Sequence, residues 1–446
     1  MARAWFGTDG IRGVANERLT AELALRVGRA TALHVGQTHP RPTILMGRDT
    51  RRSGTMLEDA LAAGIASVGG TAVRLGVLPT PAVAWNVLQH HAAAGVVISA
   101  SHNPFADNGI KLFGADGFKL LDAEEEAIEA LLDSTAVLPK GHKIGITETL
   151  DGAAEAYAEW VAEVAGTDLA GRRIVVDCAH GAAATVAPHL FARLGADVTL
   201  VACAPDGINI NVDCGSTHLA YVAAAVREHS AELGIAFDGD ADRVLFVAAD
   251  GSAVDGDHIL AILAADALER DALPGNRVVV TSMANLGAHH ALTALGCSLE
   301  ITDVGDRYVL EAMRRDGAVL GGEQSGHVIA LDHQTTGDGP LTAVMMLAAL
   351  QRSGQTLGQA ALVVEKFPQQ LISVRAAREG LNDCVPLWDA VAVAEATLGS
   401  DGRVVLRASG TEPLVRVMVE ARDADQCAAI AAELVAIVER ELPVTA

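Results

Sequence analysis

The chain has 446 residues, half of them hydrophobic and 20% charged, too long for one core and too apolar for disorder. At roughly 100–200 residues per domain it should form three or four domains. A formal net charge of −23 argues against a nucleic-acid partner, which needs a basic face, but leaves local cationic clusters free to hold anionic substrates.

Residues 1–10 lack the apolar core of a signal peptide, and the apolar stretches over 60–73 and 340–350 are too short or too interrupted to cross a bilayer. A soluble, cytoplasmic protein with no membrane partner is expected. Six cysteines stand at 178, 203, 214, 297, 384 and 427 with no close spacing, so neither a zinc site nor a disulfide framework is expected, only reduced thiols. Aromatic residues make up 3% and alanine is abundant, which predicts helices packed closely through small side chains.

In chain order, β-branched runs over 43–46, 72–75 and 96–98 read as buried strands, with helices over 56–67 and 123–132. Residues 139–148 read as a linker. The alternation restarts with strands over 173–177 and 197–201 around a helix over 181–194, then a helix over 219–228 and strands over 234–237 and 244–247. It restarts again with helices over 257–268, 286–295 and 307–315 among strands over 277–281, 298–302 and 318–321. The tail differs: strands over 371–374, 403–407 and 414–420 accompany helices over 385–396 and 424–440, after a hinge at Phe367-Pro368. The fold class is therefore α/β, with three similar α/β/α sandwich units (1–150, 151–253 and 254–366) and a smaller α+β domain (367–446).

Four constellations carry chemistry. The strand over 96–98 runs into Ser99-Ala100-Ser101-His102-Asn103-Pro104, presenting the Ser101 hydroxyl on a turn at a strand end, where α/β ligand sites gather. The hexapeptide also reads as an ordinary polar turn. Asp107-Asn108-Gly109-Ile110-Lys111 returns a lysine towards it, able to hold phosphate or move a proton. Downstream, Asp238-Gly239-Asp240-Ala241-Asp242-Arg243 packs three carboxylates into five residues, a repulsion that a hard cation such as Mg²⁺ relieves. An EF-hand is excluded, because its required glycine and glutamate positions hold Arg243 and Ala249. An unmetallated acidic turn is the rival. If the two segments meet, a phosphoserine oxygen can supply the metal's missing ligand, and Arg243 can contact the same phosphoryl group.

In Gly321-Gly322-Glu323-Gln324-Ser325-Gly326-His327, the glycines allow close approach to a ligand. Glu323 and Ser325 suit sugar hydroxyls, and His327 suits proton transfer. A tight turn with a satisfied histidine is the alternative. Arg407-Ala408-Ser409-Gly410-Thr411-Glu412-Pro413, with Arg416 beyond, reads as an anion cradle for phosphate, or else as a polar hairpin. Arg12, in the glycine-rich segment 7–13, adds another cation.

Taken together and in this order, these motifs resemble the α-D-phosphohexomutase superfamily. Residues 214–218 and 335–339 resemble its bacterial glucosamine branch. The resemblance implies four domains around a central cleft, phosphoserine on Ser101, and one Mg²⁺ per subunit on Asp238, Asp240 and Asp242 with Ser101. It implies sugar recognition by Glu323 and Ser325, and phosphate binding by Arg407, Ser409, Gly410, Thr411 and Arg416. Arg12, His102, Lys111, Arg243 and His327 match positions around the reacting phosphoryl group. The implied activity is an isomerase that interconverts glucosamine 6-phosphate and glucosamine 1-phosphate through a 1,6-bisphosphate, feeding UDP-N-acetylglucosamine and cell-wall precursors. Glucose or mannose phosphates are the alternative substrates; a sugar-phosphate sensor and an Mg²⁺ phosphatase are the rival classes. Priming of Ser101 by the bisphosphate, by a kinase or by itself, and a homodimer, are left open. One departure is His180, where the pattern has asparagine.

Overall fold

The structure is a computed structural model that describes residues 4–7, 9–408 and 413–444. By its contacts the chain forms two compact units. One runs to Met283 and resumes from Gly296 to Val363; the other takes Ala284–Leu295 and the chain from Val364 onward.

The first unit holds three sheets. The strands β1 (Ile11–Val14), β2 (Thr43–Arg48), β3 (Thr71–Val77), β4 (Ala94–Ile98), β5 (Asp107–Gly114) and β6 (Thr147–Thr149) order as β1-β5-β4-β2-β3-β6. Neighbours from β4 to β6 run parallel, and β5 is antiparallel to both β4 and β1. The second sheet takes β7 (Arg173–Asp177), β8 (Asp197–Val201), β9 (Leu233–Phe237), β10 (Val244–Ala248) and β11 (Ala253–Val254) in the order β11-β10-β9-β7-β8. The third takes β12 (Arg277–Thr281), β13 (Ser298–Thr302), β14 (Leu320–Gly322) and β15 (Val328–Ala330) in the order β13-β12-β14-β15. Each sheet thus has a parallel core with an antiparallel edge. Every residue of β4 and β9 is buried, as continuous apolar strands covered on both faces must be.

Small side chains set the helix spacing. A Cβ on Gly28 would lie 2.3 Å from Leu61 O, and one on Gly64 2.1 Å from Leu25 O, so helices Ala21–Val35 and Ser53–Ser67 touch backbone to backbone. The segment expected as a linker is partly sheet: β6 adds parallel to β3, and Gly145 lies so close that a Cβ would meet Gly70 O at 1.8 Å. Three residues, Thr-Glu-Thr, are too few to show a strand period. β1 also escaped the sequence pattern, because its Arg12 and Gly13 break the apolar run.

In the second unit, β16 (Gln369–Arg375), β17 (Gly402–Ala408) and β18 (Leu414–Ala421) form an antiparallel sheet ordered β16-β18-β17. Helices Val385–Leu398 and Ala424–Glu441 bury Leu387, Val391, Cys427 and Leu434 against its Val415, Val417 and Val419. Helix Leu286–Ala294, which lies between β12 and β13 in sequence, belongs to this unit. Its cap Asn285 donates to Phe367 O (3.0 Å) and to the buried Glu420 (3.1 Å), which pairs with Arg403.

Within the first unit, Trp85, Tyr157 and Trp160 form an aromatic cluster with ring centroids 5.7–6.0 Å apart. The Tyr157 hydroxyl donates to both oxygens of Asp338 (2.7 and 2.6 Å), the N-cap of helix Gly339–Ser353. Burial pushes the Asp338 carboxyl up to about 6, against the donors Tyr157, Leu341 N–H and Gln334. A carboxyl raised on folding contributes stability that is present below its unfolded value and is lost as pH climbs through about 6. Tyr157→Phe removes one donor to the carboxylate, so Asp338 rises further and the added cost falls on the alkaline side. Urea unfolding of this variant should show a loss of about 1.5–3 kcal/mol at pH 8 and a smaller one at pH 5. Equal losses at both pH values would contradict this account of Asp338.

Candidate active site

The buried strand β4 ends in a turn that puts Ser101 in the left-handed region (φ 52°), a conformation that a serine keeps only when its surroundings enforce it. Its N–H donates to Ser99 Oγ (2.9 Å), and Ser99 donates in turn to Asp49 (2.6 Å). Its carbonyl accepts from Arg51 (3.1 Å) and from Asn211 Nδ2 (2.9 Å), and the same two side chains hold Asn103 O (2.5 and 3.2 Å). Arg51 is paired with Asp49, and both side chains are fully buried. Burial pushes the Asp49 carboxyl up against the pull of Arg51. Opposite this loop, a Cβ on Gly239 would lie 2.4 Å from Ser101 O. Glycine is required there for the two loops to meet.

The meeting partner is the turn between β9 and β10, whose register closes at Phe237 opposite Val244. Its Ala241 is also left-handed (φ 54°). Asp238, Asp240 and Asp242 are buried, and one oxygen from each lies within 4.8 Å of the others. Ser101 Oγ donates to Asp238 Oδ2 at 2.5 Å. Thr80 donates its hydroxyl (2.6 Å) and its N–H (2.9 Å) to Asp240. Lys111, opposite Val97 in the β4–β5 register, reaches Asp240 (3.0 Å), Asp242 (3.4 Å) and Asp9 (3.4 Å). Burial, with Asp242 and Asp240 beside it, pushes the Asp238 carboxyl well above the ordinary range. Burial acts on Asp242 in the same direction, yet Lys111 and His327 hold it well below. Among the described residues, Asp240 Oδ1 and Asp242 Oδ1 are buried without a hydrogen-bond partner. Buried carboxylate oxygens left bare beside a third carboxylate are the donor set a hard divalent cation needs, so the three aspartates are able to hold a metal ion.

A rim of charge surrounds this core. Arg243 donates to His102 Nδ1 (3.1 Å), and that nitrogen lies 3.4 Å from Ser101 Oγ. Burial, then Arg243 and Arg12, lower the pKa of His102. His327 Nδ1 lies 3.7 Å from Asp242 and its Nε2 3.7 Å from Asp306. Lys119 joins Asp306 to Asp9 (2.8 Å to the latter), and Asp9 pairs with Arg12. Glu323 accepts from Gly305 N–H (3.1 Å) and lies 3.5 Å from the Ser325 hydroxyl. The loop carrying both packs against the start of β10, where a Cβ on Gly326 would lie 2.3 Å from Val244 O.

The structure therefore gathers Arg12, Ser101, His102, Lys111, Asp238, Asp240, Asp242, Arg243 and His327 within one unit, with Glu323 and Ser325 on the adjoining loop. Arg407 and Arg416 lie in the other unit, exposed and directly opposite one another in the β17–β18 register. Like charges so placed repel and favour an anion between them. Ser409, Gly410 and Thr411 lie outside the described residues. Sequence reading assigned no role to Thr80, Asn211, Lys119, Asp9 or Asp306, nor to the Asp49–Arg51 pair. Proline flanks Thr80 on both sides at the end of β3, and Asp9, Asp49, Arg51, Asn211 and Asp306 stand in the segments 6–13, 47–51, 209–218 and 303–308, which also resemble the superfamily, though without an individual role.

Four family models match the chain in order: phosphoglucomutase/phosphomannomutase alpha/beta/alpha domain I over residues 3–137, domain II over 155–251, domain III over 255–367, and the C-terminal domain over 363–437. A phosphoglucosamine mutase of Moorella thermoacetica is 51% identical over 433 residues, covering 96% of this chain and 98% of that protein. The crystal structure of a phosphoglucomutase/phosphomannomutase family protein from Burkholderia thailandensis superposes with a TM-score of 0.82 at 25% identity, covering 98% of each chain. An N-acetylphosphoglucosamine mutase of Aspergillus fumigatus, solved in complex with GlcNAc-6P and magnesium, shares the fold with a TM-score of 0.71 at 17% identity, over 98% of this chain and 96% of that one. No helix among the described residues is long and apolar enough to cross a membrane.

The Asp49–Arg51 pair offers a direct test of the loop's support. Arg51→Met strands a buried carboxylate, and urea unfolding should lose about 3–5 kcal/mol. Adding Asp49→Asn should return part of that loss. Strictly additive losses would contradict a paired support.

Proposed function

Because the chain belongs to the phosphoglucomutase/phosphomannomutase family, we propose that it is an isomerase that interconverts glucosamine 6-phosphate and glucosamine 1-phosphate through a phosphorylated Ser101. One observation carries the reading: the Ser101 hydroxyl, held in a strained turn, lies 2.5 Å from Asp238, one of three buried carboxylates of which two keep an oxygen without a hydrogen bond. The substrate follows from the relative, a phosphoglucosamine mutase half identical over nearly the whole chain.

The chain's own residues divide the work. Arg51, Asn211 and Ser99 fix the Ser101 backbone so that Oγ keeps one direction. A phosphoryl group on Oγ replaces the proton now given to Asp238 and adds negative charge beside three carboxylates. Asp238, Asp240, Asp242 and the phosphorylated Ser101 would hold one Mg²⁺, which when bound offsets that charge and stabilises the group in transfer. Lys111 and Arg243 add fixed positive charge on either side. Transfer from Ser101 to O1 of the 6-phosphate gives the 1,6-bisphosphate. After the sugar turns over, the 6-phosphoryl returns to Oγ and the 1-phosphate leaves. Glu323 and Ser325 recognise sugar hydroxyls, while Arg407 and Arg416 bind a substrate phosphate. Escaped bisphosphate serves as the primer for unphosphorylated Ser101.

Ser101→Ala should lose at least roughly a thousandfold in glucosamine 1-phosphate formation in a coupled assay, as removing a covalent nucleophile does; substantial retained turnover refutes the phosphoserine. Chelation should abolish turnover and Mg²⁺ restore it, whereas full activity in chelator rules out the metal. Across glucosamine, glucose and mannose 6-phosphates, kcat/KM should be highest for glucosamine, and a preference for either other sugar overturns the substrate.

A further inference from the structure

Behind the carboxylate turn lies a thiol cluster with no part in that mechanism. β7 and β8 are parallel neighbours with Asp177 opposite Val201, and the chain leaves them at Cys178 and at Ala202-Cys203. Cys178 N–H donates to Val201 O (3.1 Å) and His180 N–H to Ala202 O (2.6 Å), so the two strand ends stay bound side by side. Cys178 and Cys203 thus stand at adjoining strand ends, where each thiol perturbs the proton affinity of the other. Cys178 is fully buried, whereas Cys203 reaches solvent and its Sγ lies 3.9 Å from Ala184 O. Cys214 is the third member of the group and is buried.

The loop after Cys178 touches the active-site supports directly. Ala179 O accepts from Asn211 N–H (2.9 Å), the residue that clamps Ser101 O. His180 O accepts from the Thr50 hydroxyl (2.6 Å). Ala182 N–H donates to Gly239 O (2.8 Å), in the midst of the carboxylate turn, and a Cβ on Gly181 would lie 2.3 Å from that same oxygen. Ala179, His180 and Ala202 all hold left-handed backbone (φ 53°, 48° and 44°), so this layer has little slack.

We propose that Cys178 and Cys203 form a peroxide-oxidisable dithiol whose closure to a disulfide displaces the 179–182 loop and slows the reaction at Ser101. The neighbouring Cys178 draws the Cys203 thiol down to about 7, so the more accessible sulfur is substantially thiolate at neutral pH. Both buried thiols are raised, Cys178 by Cys203 and then burial, Cys214 by burial, so it is the β7–β8 register, which ends beside Cys203, that singles out Cys178 as its partner. The Cys203 thiolate attacks one oxygen of hydrogen peroxide: an S–O bond forms, the O–O bond breaks and hydroxide leaves, giving a sulfenic acid. The Cys178 sulfur then attacks the sulfenic sulfur. An S–S bond forms, the S–O bond breaks, and the departing hydroxide takes the Cys178 proton as water. Two thiols are oxidised by two electrons in all, and peroxide is reduced to water. The disulfide draws the two strand ends into a covalent link, and the movement reaches Gly239 and Asn211 through the contacts above. The dithiol itself stands apart from the proposed mutase reaction; only its effect on turnover rests on that reading.

The test uses the full-length, Mg²⁺-loaded, Ser101-phosphorylated protein, exposed to hydrogen peroxide and then digested without reductant for mass mapping. A linked Cys178–Cys203 peptide pair should appear. Turnover should fall roughly tenfold to hundredfold, as sub-ångström to ångström misplacement does, and a thiol reductant should remove the link and restore turnover. Cys203→Ser, at the more exposed position, should give no link and keep its turnover through the same exposure. The proposal is overturned if both thiols remain open to alkylation, if the link joins Cys214 instead, if Cys203→Ser loses turnover in step with the parent, or if the link forms without slowing turnover. A reduced protein with no mutase activity would defeat the functional reading, while the peptide map alone would still decide the disulfide.

Discussion

The site rests on the burial of three aspartates in one turn. Carboxylates taken out of water beside one another are tolerated only when counter-charge and donors meet them from other parts of the chain. Here Ser101 and Lys111 come from the first sheet's β4–β5 corner, Thr80 from the end of β3, and His327 from the loop after β14. The acidic turn thereby ties three sheets of one unit to a common point. The same residues that make the cluster tolerable place a serine hydroxyl against it. Stability and chemistry share one set of contacts.

Much of this was legible in the sequence because it is local. Ser101 and the aspartates lie where apolar strands stop, and a run of buried β-branched residues announces its own end. The alternation of strands and helices gave the three α/β units, and the antiparallel tail separated itself by its order of elements. The acidic turn was plain because three like charges in five residues need a reason.

Other features could not be read, since their meaning lies in partners far along the chain. Lys119 and Asp306 are ordinary surface letters until the fold brings them together with Asp9, and only then do they extend the charge network. Asn211 sits in a polar loop with no period, yet its amide holds the carbonyls of both Ser101 and Asn103. The assignment of helix Leu286–Ala294 to the second unit is invisible for the same reason: Asn285 and Glu420 are far apart in sequence. Cys178 and Cys203 became neighbours through the β7–β8 register rather than through any cysteine spacing.

In the proposed reaction Ser101 is the group that gives and takes the phosphoryl. The most direct measurement mixes phosphorylated enzyme with glucosamine 6-phosphate whose phosphate carries a heavy oxygen isotope, quenches within one turnover, and weighs the peptide containing Ser101. Heavy phosphate should have replaced light phosphate on that peptide, and the light phosphate should appear on O1 of the sugar. Product that forms while Ser101 keeps its original phosphate, or never carries one, would contradict the account.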